Sequence, residues 1–300
     1  MRRRTFLKQS GAGVLLLGLG ALPLPALARS AKGATRLCIL HTNDLHGCFE
    51  GPEGRALQAV FEEQIQQARR AFKGNVLLFD SGDQLGIPQA ESRQIEAMAT
   101  LGYDAVALGN QDLKHGVSNL FKQYNYGKIT VLSSNYRLTN MILDEKIHSF
   151  SIFERESLRI GVFALNDYYN TFIFNNIHSD FVIHPPIEAA RALSQTLRKD
   201  LQCDLVVCLS HLGFNAANQS YQDVHLAAQS SGIDFILGGN SHTFLEAPKT
   251  IYNADNQSIV ISHAGCGGLL LGRIDLEYDT EGRFHITRYE YIPTGAGIMA

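Results

Sequence analysis

Five places in this chain put a side chain able to bind a metal ion just after a short apolar run: Asp44 with His46, then Asp83, Asn110, His211 and His242. Carboxylate, imidazole and amide-oxygen donors converging on one point hold hard divalent cations or zinc. Parallel strands that end on one edge of a sheet supply such convergence. In Asp44-Leu45-His46, alternate positions can aim two donors at one ion, and Gly47 lets the chain turn away without a Cβ clash. A carboxylate at Asp83, in Asp80-Ser81-Gly82-Asp83, has two oxygens suited to bridging cations ~3.5–4 Å apart. Asn110 offers an amide oxygen, and His211 and His242 follow later strands. Each fragment alone is weak, and each single histidine has a plainer reading as a satisfied core or surface residue. In order, each after a strand, they point to a two-metal site. Beside these ligands, Gln111 and Asn240 are amides where such a site would normally want imidazoles.

The elements that must position these residues alternate. Leu37 to Thr42, Val76 to Phe79, Ala105 to Leu108, Ile129 to Ser133, Ile160 to Ala164, Leu205 to Leu209 and Phe235 to Leu237 read as buried strands. Between them, Ala56 to Phe72, Ser92 to Thr100, Val117 to Tyr124, Ile187 to Asp200 and Asp223 to Gln229 carry apolar residues at helical spacing. That alternation predicts an α/β layered domain. Ser258 to His263, Gly272 to Glu277 and Phe284 to Ile292 predict a closing antiparallel portion, with a hairpin turn at Asn253 to Gln257. No long linker, repeat or low-complexity stretch interrupts the pattern, so one compact domain is expected.

The start of the chain reads as an export signal. Arg3-Arg4-Thr5-Phe6-Leu7-Lys8 is a twin-arginine pattern, followed by the apolar run Gly11 to Leu27 and an Ala26-Leu27-Ala28 cleavage site. Residues 1–28 are then a signal peptide and 29–300 the folded domain, carried folded through the twin-arginine (Tat) export machinery to the periplasm or cell surface. No second apolar run approaches the ~20 residues of a membrane span. Removing residues 1–28, which hold four of the 26 Lys+Arg, leaves 22 basic against 29 acidic side chains, a net of −7. That balance argues against a nucleic-acid polymer as partner and is compatible with a small anion held by metal ions. The five cysteines lack CxxC spacing. Cys203 and Cys208, read as lying on one strand, would be ~16 Å apart, too far to bridge, so buried free thiols are expected.

On these residues the chain resembles the calcineurin-like metallophosphoesterases, in particular the phosphatase domain of secreted bacterial 5′-nucleotidases, from about Leu37 to Glu277. The resemblance implies a single-domain, four-layer α-β-β-α sandwich with two divalent metal ions (Mn, Zn, Mg or Ca) at the C-terminal strand edge. It implies Asp44, His46, Asp83 and His242 as ligands of the first ion, and Asp83, Asn110, His211 and Asn240 as ligands of a weaker second site. Where the family writes Gly-Asn-His-Glu/Asp-Phe-Asp, this chain has Gly109-Asn110-Gln111-Asp112-Leu113-Lys114, which places Gln111 and Asp112 at catalytic positions. The expected imidazole is glutamine and its carboxylate partner is Lys114. Where the family writes Gly-His-x-His, this chain has Gly239-Asn240-Ser241-His242. The activity implied is hydrolysis of a small phosphorylated substrate by metal-activated water; the alternative is a non-catalytic binding protein on the same scaffold. Lys114 and Asn135 are candidate substrate contacts, His115 a candidate substitute acid, and the aromatic cluster Tyr168 to Phe174 a candidate platform, partner surface or lid.

Overall fold

Strands covered on both faces show no polar side to water, and Leu37 to Leu40 and Leu205 to Leu209 are accordingly buried without interruption. The computed structural model describes residues 35–86, 93–114, 116–124, 129–139, 146–167, 181–215 and 221–295. These belong to one compact unit, Lys32–Ala300. The signal segment 1–28, His115 and the Tyr168 to Phe174 cluster lie outside the described residues.

One sheet is built on four parallel strands, β1 (Thr35–Thr42), β2 (Val76–Asp80), β3 (Ala105–Ala107) and β4 (Thr130–Leu132). A small ladder pairs β5 (Tyr136–Leu138) with β8 (Phe181–Ile183). The second sheet has β7 (Leu158–Asn166), β9 (Leu205–His211), β10 (Phe235–Gly238) and β12 (Ser258–His263) in parallel, edged by antiparallel β6 (Phe150–Arg155) and β11 (Lys249–Tyr252). Strands β13 (Leu270–Tyr278) and β14 (Phe284–Pro293) return as a hairpin to the first sheet, whose order is β14-β13-β1-β2-β3-β4.

Strand period explains the layering. In β1, Leu37 and Ile39 face the other sheet, packing with Phe79, Val162, Leu209 and Phe235, while Cys38 and Leu40 face outward. There they meet helix α1 (Gly51–Ala71), whose Leu57, Phe61, Ile65 and Ala68 form one apolar stripe. Helix α2 (Gln94–Leu101), the short α3 (Asn110–Leu113) and α4 (Val117–Tyr124) pack with the same outer layer. On the far side, α5 (Pro186–Gln195) continues into a π turn, Thr196–Asp200, and with α6 (Asp223–Gln229) covers Val206 and Cys208. The order is helix, sheet, sheet, helix, the four-layer arrangement expected.

Three expectations change. The closing strands are not one antiparallel portion: β12 joins the second sheet in parallel, and only β13 and β14 form the hairpin of the first. The predicted helix Ile187 to Asp200 is α-helical only to Gln195. Cys203 precedes β9 rather than sharing it with Cys208, and all five cysteines are free. The turn at Asn253 to Gln257 is formed, closed by Asn253 N–H donating to the Gln257 carbonyl at 3.0 Å.

Candidate metal centre

The loops after β1, β2, β3, β9 and β10 meet at one edge because polar side chains tie the two sheets together there. Asn43 Nδ2 donates to Gly265 O (2.6 Å) and to Asp44 Oδ2 (2.7 Å), while its Oδ1 accepts from Ala264 N–H (2.8 Å). This joins the first strand's loop to the loop after β12. Asp80 accepts from Thr42 Oγ1 (2.6 Å), Gly82 N–H (2.9 Å) and Gln84 Nε2 (2.5 Å), which turns the chain towards Asp83. Burial pushes the Asp80 carboxyl up to about 6, partly offset by these hydrogen bonds. Ser81 Oγ donates to Leu237 O at 2.7 Å. The Ser81 carbonyl accepts from His211 Nδ1 at 2.7 Å, so Nδ1 carries the proton and Nε2 is left to face the cluster.

The donors form two groups, Asp44 with His46 and His242, and Asp44 with Asp83 and His211, each with its ligand atoms mutually within 4.8 Å. His46 Nε2 and His242 Nε2 approach to 2.9 Å, and His242 Nε2 is 3.7 Å from Asp44 Oδ1. His211 Nε2 is 3.4 Å from Asp83 Oδ1 and 3.2 Å from Asn110 Oδ1. Asn240 N–H donates to Asp44 Oδ1 (3.1 Å) and its Nδ2 to His211 O (3.2 Å), leaving its amide oxygen as the remaining donor atom. The carboxylate common to both groups is Asp44, where the resemblance implies Asp83.

Backbone strain is concentrated here. Of nine non-glycine residues with positive φ among the described residues, five are Asp44, His46, Asp83, Asn240 and His242. Such conformations cost ~1–3 kcal/mol each and persist where the surroundings enforce them. Close approach demands glycine at two points. A Cβ at Gly109 would lie 2.1 Å from Asp83 Oδ1, and one at Gly82 2.5 Å from His211 Nδ1.

The donor set fits divalent cations. Asp44 and Asp83 are buried, and among the described residues no lysine or arginine pairs with either. Buried carboxylates in that state call for positive charge. His211 responds accordingly: burial pulls its pKa down, but the Asp83 and Asp44 carboxylates and the Ser81 carbonyl together push it up to about 10. Burial, ahead of the opposing pull of Asp83 and Asp44, holds His46 below its ordinary value, which keeps its nitrogen lone pair available.

The remaining expected site residues separate. The Gln111 peptide N–H donates to Asp83 Oδ1 at 2.8 Å, and Lys114 is exposed at the end of α3. Asp112 is buried, and its carboxylate accepts from the N–H groups of Asp83 (2.9 Å), Leu85 (2.9 Å) and Gly109 (2.8 Å). It is a strut between two ligand loops rather than a group facing the cleft. Burial, then the Asp83 charge, pushes its carboxyl up to about 8. Asn135 does not line the mouth of the site. It is buried, donating to Asn166 O (2.8 Å) and accepting from Asn166 N–H (2.7 Å), so its amide is consumed in joining β5 to β7. Sequence reasoning missed Asn43, Asp80 and Ser81 as supports, although all three stand within the quoted motifs. It also missed Phe244, a half-exposed ring against Gly265 and two residues past His242.

The family described as calcineurin-like phosphoesterase matches residues 38–244. The chain is 28% identical to a 5′-nucleotidase of Vibrio parahaemolyticus over 98% of its own length and 57% of the relative's. It is 27% identical to Protein UshA of Escherichia coli over 96% of its own length and 57% of that protein's. Among solved structures, the NAD nucleotidase of Haemophilus influenzae superposes with a TM-score of 0.75 at 22% identity, over 87% of this chain and 50% of that one. This chain thus spans a little over half the length of the curated relatives it matches.

Proposed function

The chain belongs to the calcineurin-like phosphoesterase family, and on that premise we propose that it is a metal-dependent hydrolase of small phosphate esters, nucleotides among them. The observation that carries this reading is the pair of donor groups sharing one buried carboxylate, Asp44, where loops of both sheets meet. Asp44, His46 and His242 would hold one divalent ion; Asp44, Asp83 and His211, with Asn110 and the amide oxygen of Asn240, would hold the other. Such ions supply Lewis acidity towards phosphoryl oxygens and a nucleophile at neutral pH. Ser81 holds the His211 tautomer and the Gln111 peptide N–H orients Asp83. An amide at Asn240 suits magnesium, manganese or calcium better than zinc.

Gln111 can donate a hydrogen bond but not a proton at neutral pH. Loss of general-acid help costs typically ~10²–10⁴-fold, and esters with good leaving groups suffer least. Purified protein with Mn²⁺ or Zn²⁺ is therefore expected to hydrolyse p-nitrophenyl phosphate and to act far more weakly on alkyl phosphates. Absence of metal-stimulated turnover across several divalent ions removes the reading. A second reading, a binding protein on a phosphatase scaffold, is favoured by the joint occurrence of Gln111, Lys114 and Asn240 around one centre. One bound ion or none per chain, with no turnover, supports it.

The location proposed is the periplasm or cell exterior, with residues 1–28 as a twin-arginine signal and 29–300 as the catalytic domain. In support, Arg3-Arg4-Thr5-Phe6-Leu7-Lys8 precedes an apolar run, and no helix among the described residues is long and apolar enough to cross a membrane. The UshA and 5′-nucleotidase relatives extend the substrate proposal to nucleotides.

A further inference from the structure

A cavity of about 530 Å³ opens on the opposite edge of the second sheet, between α5 with its π turn, the segment 229–232 and the turn 254–257. Those two segments lead into β10 and β12, whose other ends carry the loops of His242 and Ala264. The six residues of β12 put roughly 20 Å between the edges. The cavity is thus separate from the metal centre.

Its charges are unevenly satisfied. Arg198 is fully employed: its guanidinium donates to Gly232 O (2.9 Å), Cys203 O (3.2 Å) and Asp204 O (2.9 Å), and pairs with Asp234. It thereby ties the segment after the π turn to the segment before β10. Arg191 donates only Nε, to Gln229 O at 2.8 Å; the other two guanidinium nitrogens have no partner among the described residues. Lys199 lines the same cavity without an ion pair among the described residues, and Asp255 is the one carboxylate in the lining. Ser230 also lines it; the residue is 1% exposed and its hydroxyl has no partner among the described residues. A buried hydroxyl left unpaired is costly. A π turn is itself uncommon, and such turns occur frequently at functional sites.

We propose that this cavity binds a small oxyanion of the phosphate class, held by the free guanidinium nitrogens of Arg191 and the Ser230 hydroxyl, with Lys199 completing the charge. A guanidinium edge matches two oxygens of a phosphate, and a hydroxyl supplies a further donor. Gln195 and Gln257 line the same cavity, and their amides can hydrogen-bond a hydroxyl-bearing group attached to the anion. The site stands independently of any turnover at the metal centre.

The test is titration of inorganic phosphate, and separately of a sugar phosphate, into the metal-loaded full-length protein, read by the backbone amide resonances of Ser230, Ser231 and Gly232. Saturable shifts are expected at those amides in the wild type. The midpoint should rise about tenfold in Arg191→Ala and in Ser230→Ala, the loss of one charge-assisted contact. It should not move in Asp83→Asn, which removes binding at the inner group of the metal centre. Tighter uptake of the sugar phosphate assigns the glutamines to its hydroxyl groups; equal uptake assigns the site to free phosphate. Non-saturable shifts, or a midpoint unchanged in both Arg191→Ala and Ser230→Ala, overturn the proposal.

Discussion

The two halves of the metal centre are built differently. Asp44, Asp83 and His211 are shut away from solvent, whereas His46 is half-buried and His242 has 46% of its side chain exposed. The inner half is fixed by both sheets at once: His211 ends β9 and is held by Ser81 from the loop after β2, while Asp44 is gripped by Asn43. The outer half has no such support among the described residues: the His46 and His242 rings meet each other, Nε2 to Nε2 at 2.9 Å, and His242 the Asp44 carboxylate at 3.7 Å. A ligand lost from the inner half leaves a buried charge without compensation, which a fold tolerates poorly. A ligand lost at the rim leaves only a solvated group. The departures from the family pattern surround the inner half without removing its charged members: Asn240 and Gln111 are neutral amides, and the Gln111 contact to Asp83 is made by the backbone.

Breaking the inner half has the largest expected effect. Asp83→Asn should abolish both metal-stimulated turnover and binding at the inner group, measured by p-nitrophenyl phosphate hydrolysis and elemental analysis of dialysed protein. If turnover survives in that variant, the inner half is not part of the chemistry. Repair sharpens the comparison from the other side. Gln111→His with Lys114→Asp and Asn240→His should raise turnover by at least ~10²-fold, the lower end for a restored general acid. A repaired variant that binds two ions yet stays inert would mean that the pocket itself has changed. A smaller effect is expected from Asn43→Ala, which frees Asp44 from the loop after β12. Supports of this kind typically cost ~10–100-fold in metal affinity, readable by competition with a chelating dye.

The inner half also predicts a pH signature in metal-free protein. Burial opposes the charged form of His211 in the fold, but Asp83, Asp44 and the Ser81 carbonyl together raise its pKa from 6.5 to about 10. A raised imidazole stabilises the folded state fully below its unfolded pKa, and the stabilisation is lost as pH climbs through the folded value. Thermal melts in EDTA should therefore fall between pH 6.5 and 10, and His211→Gln should flatten that slope. A bound cation takes over the proton's role, so melts with Mn²⁺ should lack it. An identical slope with and without metal would detach His211 from the cation site.

Much of this was legible in the order of residues. Uninterrupted apolar runs such as Leu205 to Leu209 mark strands buried on both faces, and the polar residue that ends each run marks a loop at one edge. Legibility failed where direction matters rather than type. Nothing in the apolar pattern of Ser258 to His263 says that it pairs in parallel with β10 rather than with β13. Asn135 has the composition of a substrate contact, yet its amide turns inward to Asn166, a choice settled by tertiary packing. Asp112 lies in the expected catalytic motif but accepts three backbone N–H groups instead of facing the cleft. Asn43, Asp80 and Ser81 read as turn residues because their work spans sheets, with partners 222 positions away for Asn43.

The central claim is that two cation positions share the buried Asp44 carboxylate. It is tested most directly by counting metal ions per chain in the wild type, His242→Ala and Asp44→Asn after equilibration with Mn²⁺. The arrangement predicts two ions in the wild type, retention of the inner ion in His242→Ala, and loss of both in Asp44→Asn. Two ions retained by Asp44→Asn, or a wild type that binds none, would contradict it.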